Sequence, residues 1–193
     1  MAMIPKVLVL SGSDRAGSRN KKLAQAAMKT LAQMEAEVTM IALADFPLPL
    51  LGQDGDRERG LPDNAVKLAG MIAAHDALFV ASPEYNASIP PALKNALDWA
   101  SQVTSDGRSE LLPFDNLAVA LGCATDEPRG GVLVLDHLRA VFVRLGALVV
   151  SGQCIVVGDV GFDTDDMRRG PGLSDLTGAC RALLDHSTAG RGR

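Results

Sequence analysis

Residues 7–20 read VLVLSGSDRAGSRN, and this stretch decides the fold. The apolar run at its start is typical of a strand buried on both faces, as the strands of parallel sheets are. A loop rich in serine and glycine follows, and apolar residues then recur at helical spacing from about Arg19 to Met34. A buried strand that leads through a polar loop into a helix is the unit from which parallel α/β sheets are built.

The same alternation continues along the chain. Apolar runs predict further strands at 37–41, 77–81 and 117–122, and a fifth that begins at Leu148 and resumes at 155–157. Helices are predicted at about 63–75, 89–101, 131–145 and 173–186. Asp63 is the predicted N-cap of the helix at 63–75, and Ser88 is that of the helix at 89–101. This pattern favours a doubly wound α/β fold, with a five-stranded parallel sheet in the flavodoxin-like order 2-1-3-4-5 and helices on both faces.

The overall composition fits a single globular domain that spans residues 1–193. Hydrophobic residues make up 47% and charged residues 22%, an ordinary balance for a chain that buries its own core. The net charge of −4 argues against general nucleic-acid binding, which needs a basic face. No apolar run approaches the ~20 residues of a membrane-spanning helix. Three widely spaced cysteines without a CxxC pair indicate reduced thiols, so we expect a cytoplasmic protein.

The loop after the first strand carries polar side chains that suit an anion. Free backbone N–H groups and the helix dipole make the junction between a buried strand and a helix a natural anion site. Ser13, Ser18 and Asn20 add neutral donors there, and Arg15 adds a charged one. Such a set suits a terminal phosphate monoester. The alternative is a plain turn with a capping serine and no ligand.

Two better-known phosphate motifs nearly fit this loop and fail. The dinucleotide-binding pattern GxGxxG is absent, because Asp14 stands two residues after Gly12. Gly12 and Gly17 have the spacing of a P-loop, but Ser18-Arg19 stands where Lys-Ser/Thr is required. The missing lysine argues against hydrolysis of nucleoside triphosphates.

Residues 82–101 read SPEYNASIPPALKNALDWAS and carry the most specific signal in the chain. Together with the loop from Gly12 to Asn20, this string resembles the NAD(P)H-dependent FMN reductase family, which also includes quinone, chromate and azo-dye reductases. The resemblance runs from the first strand to about Val150 and is weaker beyond.

The resemblance implies that the chain binds FMN and passes hydride from NADPH or NADH through it to a small acceptor, such as a flavin, a quinone, an azo compound or a chromate-like oxyanion. The cofactor carries this chemistry, so no catalytic acid or base is expected from the protein. The implied binders are Ser13, Arg15, Ser18 and Asn20 on the phosphate, Pro83, Glu84, Tyr85 and Asn86 on the ring, and Gly130 and Gly131 in a third loop. For Glu84 a structural role or a place at the rim is favoured. The resemblance also implies a homodimer or homotetramer.

Other residues that could carry chemistry favour plainer interpretations. Cys123 ends the fourth strand near the implied flavin site, where a small buried residue is favoured over a redox role. Asp163, Asp165 and Asp166 lack the ligand spacing of a calcium loop and indicate a solvated acidic loop, so no metal site is predicted. The three histidines lie on or beside predicted helices with no nucleophile or orienting carboxylate to pair with, which argues against hydrolase chemistry.

Two other classes of function stay open at this point. A flavodoxin-type electron carrier would share the fold and FMN, but NAD(P)H would not reduce it directly at a useful rate. A binding or sensor module would use the same pocket for another phosphorylated ligand and would hold no flavin. The string at residues 83–88 favours the enzyme.

Overall fold

Strands and helices alternate along the chain in the predicted order. The computed structural model describes residues 4–13, 15–52, 60–127, 130–158 and 171–190. The strands are β1 (Lys6–Ser11), β2 (Glu37–Ala42), β3 (Ala77–Ala81), β4 (Ala118–Thr125) and β5 (Leu148–Val157). The helices are α1 (Arg19–Gln33), α2 (Asp63–Ala73), α3 (Pro91–Ser101), α4 (Val132–Arg144) and α5 (Pro171–Gly190), with a 3₁₀ turn at Leu43–Asp45.

The five strands form one parallel sheet in the order β2-β1-β3-β4-β5. In the middle of β1, Val9 pairs with Met40 of β2 on one side and with Phe79 of β3 on the other. After β1 the chain adds β2 on one side of the sheet, and after β3 it adds β4 and β5 on the other side. The predicted α/β fold and strand order are confirmed, and the reversal between β1 and β3 marks the edge where such sheets bind ligands.

Alternate residues of the central strands point into two hydrophobic cores, one on each face of the sheet. Val7 and Val9 of β1 pack with α1 and α5, whereas Leu8 and Leu10 pack with α2, α3 and α4. Both faces are therefore covered by helices, which explains why β1 reads as a continuous apolar run and not as an alternating one. Within the described residues, no helix is both long enough and apolar enough to cross a bilayer.

Two predicted helix caps are wrong. α3 begins at Pro91 with Pro90 as its N-cap, so Ser88 lies outside the helix. Pro62 is the N-cap of α2, so Asp63 is the first helical residue and not the cap. In both places proline, whose φ is already close to the helical value, sets the entry into the helix.

The fifth strand is continuous, although the sequence predicts an interruption. The pairing of β5 with β4 slips in the middle: Val119 faces Val149, but Leu121 faces Gln153. This bulge breaks the apolar pattern of β5 without ending the strand. The last helix, α5, is also longer at both ends than the predicted 173–186.

The segment after β2 is fastened to α3 by two side chains. Nδ2 of Asn95 and Nε1 of Trp99 both donate to the carbonyl of Pro49, at 2.9 Å and 2.7 Å. The N–H of Leu51 donates to Oδ1 of Asn95 at 2.9 Å. Residues four apart on a helix face the same way, so these two side chains act on the segment together.

Candidate active site

Three loops meet at the carboxyl end of the sheet. They follow β1 (loop 1, residues 12–18), β3 (loop 2, residues 82–90) and β4 (loop 3, residues 126–131, of which 128 and 129 are not described). Backbone hydrogen bonds join neighbouring strands where the loops begin. Gly12 N–H donates to the carbonyl of Ala81, and Ser82 N–H donates to the carbonyl of Gly122, each at 2.8 Å. The ten residues predicted as binders thus lie at one edge of the sheet, on these loops or in the first turn of α1.

Loop 1 ends at the N-terminus of α1, where Ser18 is the N-cap. The Ser18 side chain makes no capping hydrogen bond in the described part of this loop, and the first turn of α1 holds no acidic residue. The positive end of the helix dipole is therefore not balanced by α1 itself, which favours an anion. Ser13 is buried, and its N–H donates to Oγ of Ser11 at 3.4 Å. Arg15 is exposed, and its carbonyl accepts from the N–H of Ser18 at 3.1 Å.

Asn20 bonds a partner that the sequence did not reveal. Its buried amide takes both backbone groups of Ala124: Nδ2 donates to the carbonyl and Oδ1 accepts from the N–H, each at 2.8 Å. β3 ends at Ala81, which pairs with Gly122, so Ala124 lies beyond the reach of that neighbouring strand. The side-chain amide of Asn20 therefore makes the two hydrogen bonds that a backbone peptide of β3 would make if that strand were longer. Asn20 therefore fixes the end of β4 against α1, and its contact with phosphate stays a prediction.

Loop 2 contains a tight turn with two consecutive residues in the left-handed region. The φ angles of Asn86 and Ala87 are 49° and 63°. Tyr85 N–H donates to the carbonyl of Ser88, and Ser88 N–H to that of Tyr85, both at 3.0 Å, as in a type I′ turn. Alanine in this region costs about 1–2 kcal/mol. Because such strain collects at ligand sites, the turn supports a binding role for loop 2.

Replacing Ala87 with glycine is expected to stabilise the protein by about 0.5–1 kcal/mol, because glycine adopts a positive φ without strain. The higher conformational entropy of the unfolded glycine variant offsets only part of this gain. Ala140→Gly, at an exposed position inside α4, is the matched control and should destabilise by about 1 kcal/mol. Urea unfolding measures both variants. Equal losses in the two would show that the turn stores no strain.

The carboxylate of Glu84 lies at the first turn of α4. Its Oε2 accepts from the N–H of Gly131 at 2.9 Å and from that of Val134 at 3.3 Å. The first turn of α4 has no acidic residue and its N-cap is Gly131, so Glu84 supplies from loop 2 the negative group that the helix lacks. The structural role expected for Glu84 agrees with this geometry.

The two glycines of loop 3 are buried at positions where a side chain would not fit. Gly131 has a φ of 93°, and a Cβ there would lie 3.1 Å from Cγ2 of Ile155 and 3.3 Å from Sγ of Cys123. A Cβ on Gly130 would lie 2.7 Å from Oγ1 of Thr125. Packing against the ends of β4 and β5 therefore accounts for both glycines, and it keeps the backbone of loop 3 next to Glu84.

Cys123 is fully buried next to Gly131. Burial, and secondarily the charge of Glu84, raise the pKa of its thiol to about 12. A thiol that stays protonated is a poor nucleophile. The interpretation of Cys123 as a small buried residue is confirmed, and Cys154 and Cys180 are likewise buried and form no disulfide.

Two further links across the site were not predicted. Oγ of Ser88 in loop 2 lies 3.1 Å from Nδ1 of His137 on α4. Arg19 at the start of α1 forms an ion pair with Asp126 in loop 3. Each pair joins residues that are far apart in the sequence, so no local motif could have indicated it.

The described residues contain no group of three or more side chains that could hold a metal ion. The aspartates at 163, 165 and 166 lie outside the described residues. His75 and His186 each contact the carbonyl four residues earlier, that of Met71 at 2.6 Å and that of Ala182 at 2.8 Å. These are structural contacts of one histidine just after a helix, His75, and one within a helix, His186.

The donors at this edge fit a cofactor with a phosphate at one end and a polar ring at the other. Loop 1 offers a helix N-terminus without a side-chain capping bond, together with Ser13, Ser18 and the cation of Arg15 for the phosphate. Loop 2 offers the backbone of residues 83–86 at the end of a buried strand. The reversal of strand order falls between the two loops, so one ligand can contact both. These features suit FMN, which has a phosphate at one end and a polar ring at the other.

Comparison with known proteins agrees with this geometry. Residues 5–161 match the family model described as NADPH-dependent FMN reductase. The chain is 33% identical over 150 residues to a quinone reductase of Escherichia coli (strain K12), an alignment that covers 76% of this chain and 73% of the relative. It is also 33% identical over 149 residues to a 2-hydroxy-1,4-benzoquinone reductase of Burkholderia sp, covering 77% and 76%.

A solved structure shows the same fold. The flavoenzyme NAD(P)H:(acceptor) oxidoreductase FerB from Paracoccus denitrificans superposes with a TM-score of 0.74 at 23% sequence identity, covering 97% of this chain and 99% of that one. The family match itself begins before β1 and ends beyond β5, so it includes all three loops. The predicted family is therefore confirmed: the chain belongs to the NADPH-dependent FMN reductase family.

Proposed function

We propose that this protein is an FMN-containing oxidoreductase that passes reducing equivalents from NADPH or NADH to a small acceptor. The observation that carries the proposal is the meeting of loops 1 and 2 at the reversal of strand order, in a chain whose family match includes both loops. FMN, when bound, supplies the two-electron chemistry. The task of the protein is then to bind, orient and shield the reacting groups.

The residues of the chain divide this task between the loops. On loop 1, Arg15 supplies a cation for the phosphate, and Ser13 and Ser18 supply hydroxyls. On loop 2, the backbone of residues 83–86 supplies donors and acceptors for the polar edge of the ring. Tyr85 is 41% exposed, so its ring is available to pack against an incoming acceptor.

A quinone is the acceptor class that we favour. Relatives that share about a third of the aligned residues are named quinone reductase and 2-hydroxy-1,4-benzoquinone reductase. A planar quinone can stack on an exposed aromatic ring such as that of Tyr85. Free flavin, an azo compound and chromate are the comparison acceptors in an assay of kcat/KM.

An absorption spectrum tests the proposal. The purified protein is mixed with FMN, desalted, and titrated anaerobically with NADPH and then with NADH. We expect retained flavin bands that bleach on addition of the nicotinamide and return on addition of a quinone. Retained flavin that neither nicotinamide bleaches would favour an electron carrier, and a failure to bind FMN would favour a binding module for another phosphorylated ligand.

Arg15→Ala is expected to weaken FMN binding by roughly 10-fold or more while leaving the fold intact, because it removes an exposed, charged donor from the proposed phosphate site. Arg108→Ala is the matched control, since Arg108 lies in an exposed loop before the amino end of β4. Fluorescence titration of the apo proteins with FMN measures both. An unchanged dissociation constant in Arg15→Ala would remove Arg15 from the phosphate site.

We also propose a homodimer or homotetramer in the cytoplasm. Three large apolar side chains on α4 are exposed by 48%, 49% and 58%, namely Val132, Leu133 and Val143, and a second subunit would cover them. Three buried cysteines that form no disulfide suit a reducing compartment. Sedimentation equilibrium decides the oligomeric state, and a monomer at all concentrations would refute this part of the proposal.

A further inference from the structure

The strained turn in loop 2 has to be held by contacts outside it. Residues other than glycine keep a positive φ only where the surrounding structure leaves them no alternative. Asn86 and Ala87 both have a positive φ, and the two hydrogen bonds within the turn join only Tyr85 to Ser88. The orientation of the whole turn must therefore be set by the residues at its two ends.

Both ends of the turn are attached to α4. On the N-terminal side, Glu84 accepts from the N–H groups of Gly131 and Val134, at 2.9 Å and 3.3 Å. On the C-terminal side, Oγ of Ser88 lies 3.1 Å from Nδ1 of His137. The Glu84 contacts are partly buried, involve a charged acceptor and are two in number, whereas the Ser88 contact is single and exposed. Glu84 is therefore the stronger attachment.

We propose that Glu84 is a positioning residue that locks the Tyr85–Ser88 turn onto α4 and so sets the geometry in which loops 2 and 3 meet the flavin ring. This inference rests on the proposed function. Glu84 acts through the backbone of its neighbours and through Gly131, not by touching the reacting atoms. A carboxylate suits the task, because the helix N-terminus presents N–H groups and a positive dipole, and α4 has no acidic residue in its own first turn.

Two substitutions at Glu84 separate geometry from charge. Glu84→Ala removes both hydrogen bonds, whereas Glu84→Gln keeps an oxygen that can accept them and removes only the charge. Glu37→Ala, which removes an exposed carboxylate at the amino end of β2, is the matched control. All four proteins are compared at a temperature where unfolding experiments show them folded, so that a general loss of stability does not enter the comparison.

We expect Glu84→Ala to raise the dissociation constant for FMN roughly 10-fold or more, and Glu84→Gln to restore it to within about threefold of the wild-type value. Visible circular dichroism of bound FMN, which reports the surroundings of the ring, should change in Glu84→Ala and return in Glu84→Gln. A residue that only stabilises the fold would leave both quantities unchanged in the folded protein. An unchanged dissociation constant and an unchanged spectrum in Glu84→Ala would overturn the proposal.

Hydrogen exchange in the apo protein gives a readout that does not need FMN. Amides of residues 84–88 and 130–134 should exchange faster in Glu84→Ala than in the wild type or Glu37→Ala. Unchanged exchange in these two segments would overturn the proposal. If the wild-type protein binds no FMN, the proposed function fails, and the exchange comparison still decides whether Glu84 holds the turn.

Discussion

An Asn20→Ala variant is expected to lose about 2–4 kcal/mol of unfolding free energy. The substitution removes two hydrogen bonds of 2.8 Å and leaves the N–H and C=O of Ala124 without the amide that satisfies them. Both groups are buried, and an unpaired buried backbone group costs about 1–3 kcal/mol. The same change frees the end of β4 from α1, so FMN affinity should fall together with stability.

Urea unfolding measures this loss, and Asn64→Ala is the matched control. The amide of Asn64 makes one exposed hydrogen bond to the carbonyl of Pro47, and its removal should cost at most about 1 kcal/mol. Asn20→Asp keeps an acceptor for the N–H of Ala124 but sets a carboxylate oxygen against its carbonyl, so it should lose nearly as much as Asn20→Ala. If Asn20→Ala and Asn64→Ala are equally stable, the amide of Asn20 does not take the place of a backbone hydrogen-bond partner for Ala124.

Trp99→Ala is expected to have the largest effect on stability, about 3–5 kcal/mol. Trp99 is 3% exposed, and its ring packs in the core that α3 shares with α2 and α4. The truncation creates a cavity that the aliphatic neighbours fill only in part. It also removes the bond from Nε1 to the carbonyl of Pro49, which fastens the segment after β2.

Trp99→Phe separates the two contributions. The smaller ring keeps most of the packing and loses the hydrogen bond, so it should cost about 1–2 kcal/mol. Circular dichroism follows the unfolding of both variants, because Trp99 is the single tryptophan of the chain and its fluorescence disappears with it. Equal losses in Trp99→Ala and Trp99→Phe would mean that the ring contributes nothing beyond its N–H.

The order of elements and the sheet topology were predictable, because burial on both faces of the central strands leaves a strong signal. β1 and β3 read as unbroken apolar runs between polar loops. The helix caps were not predictable from local preference alone: Ser88 and Asp63 are good capping residues, yet a neighbouring proline sets the helix entry in each case. The bulge that shifts the pairing of β5 with β4 is visible in the sequence only as a break in the apolar pattern of β5, so the sequence did not show that the strand continues.

The candidate site was predictable in position and less so in its contacts. Topology places ligands at the ends of β1 and β3, and the string at 82–101 identified the family. The partners of Asn20 and Glu84, in contrast, lie 104 and 47 residues away. The Asn20 contact depends on β4 extending beyond β3, and the Glu84 contact on α4 having no acidic residue in its first turn. Neither condition can be seen in the motif that contains the residue.

The burial of the cysteines has a chemical consequence for a protein proposed to reduce quinones. Quinones are electrophiles that add to thiolates, and the thiolate is the reactive form of cysteine. Burial raises the pKa of Cys123 and Cys180 to about 12, so both thiols stay protonated at neutral pH. Cys123 is also shielded by Gly131 and Ile155. Under the proposed function, buried thiols that stay protonated would resist arylation by quinone acceptors.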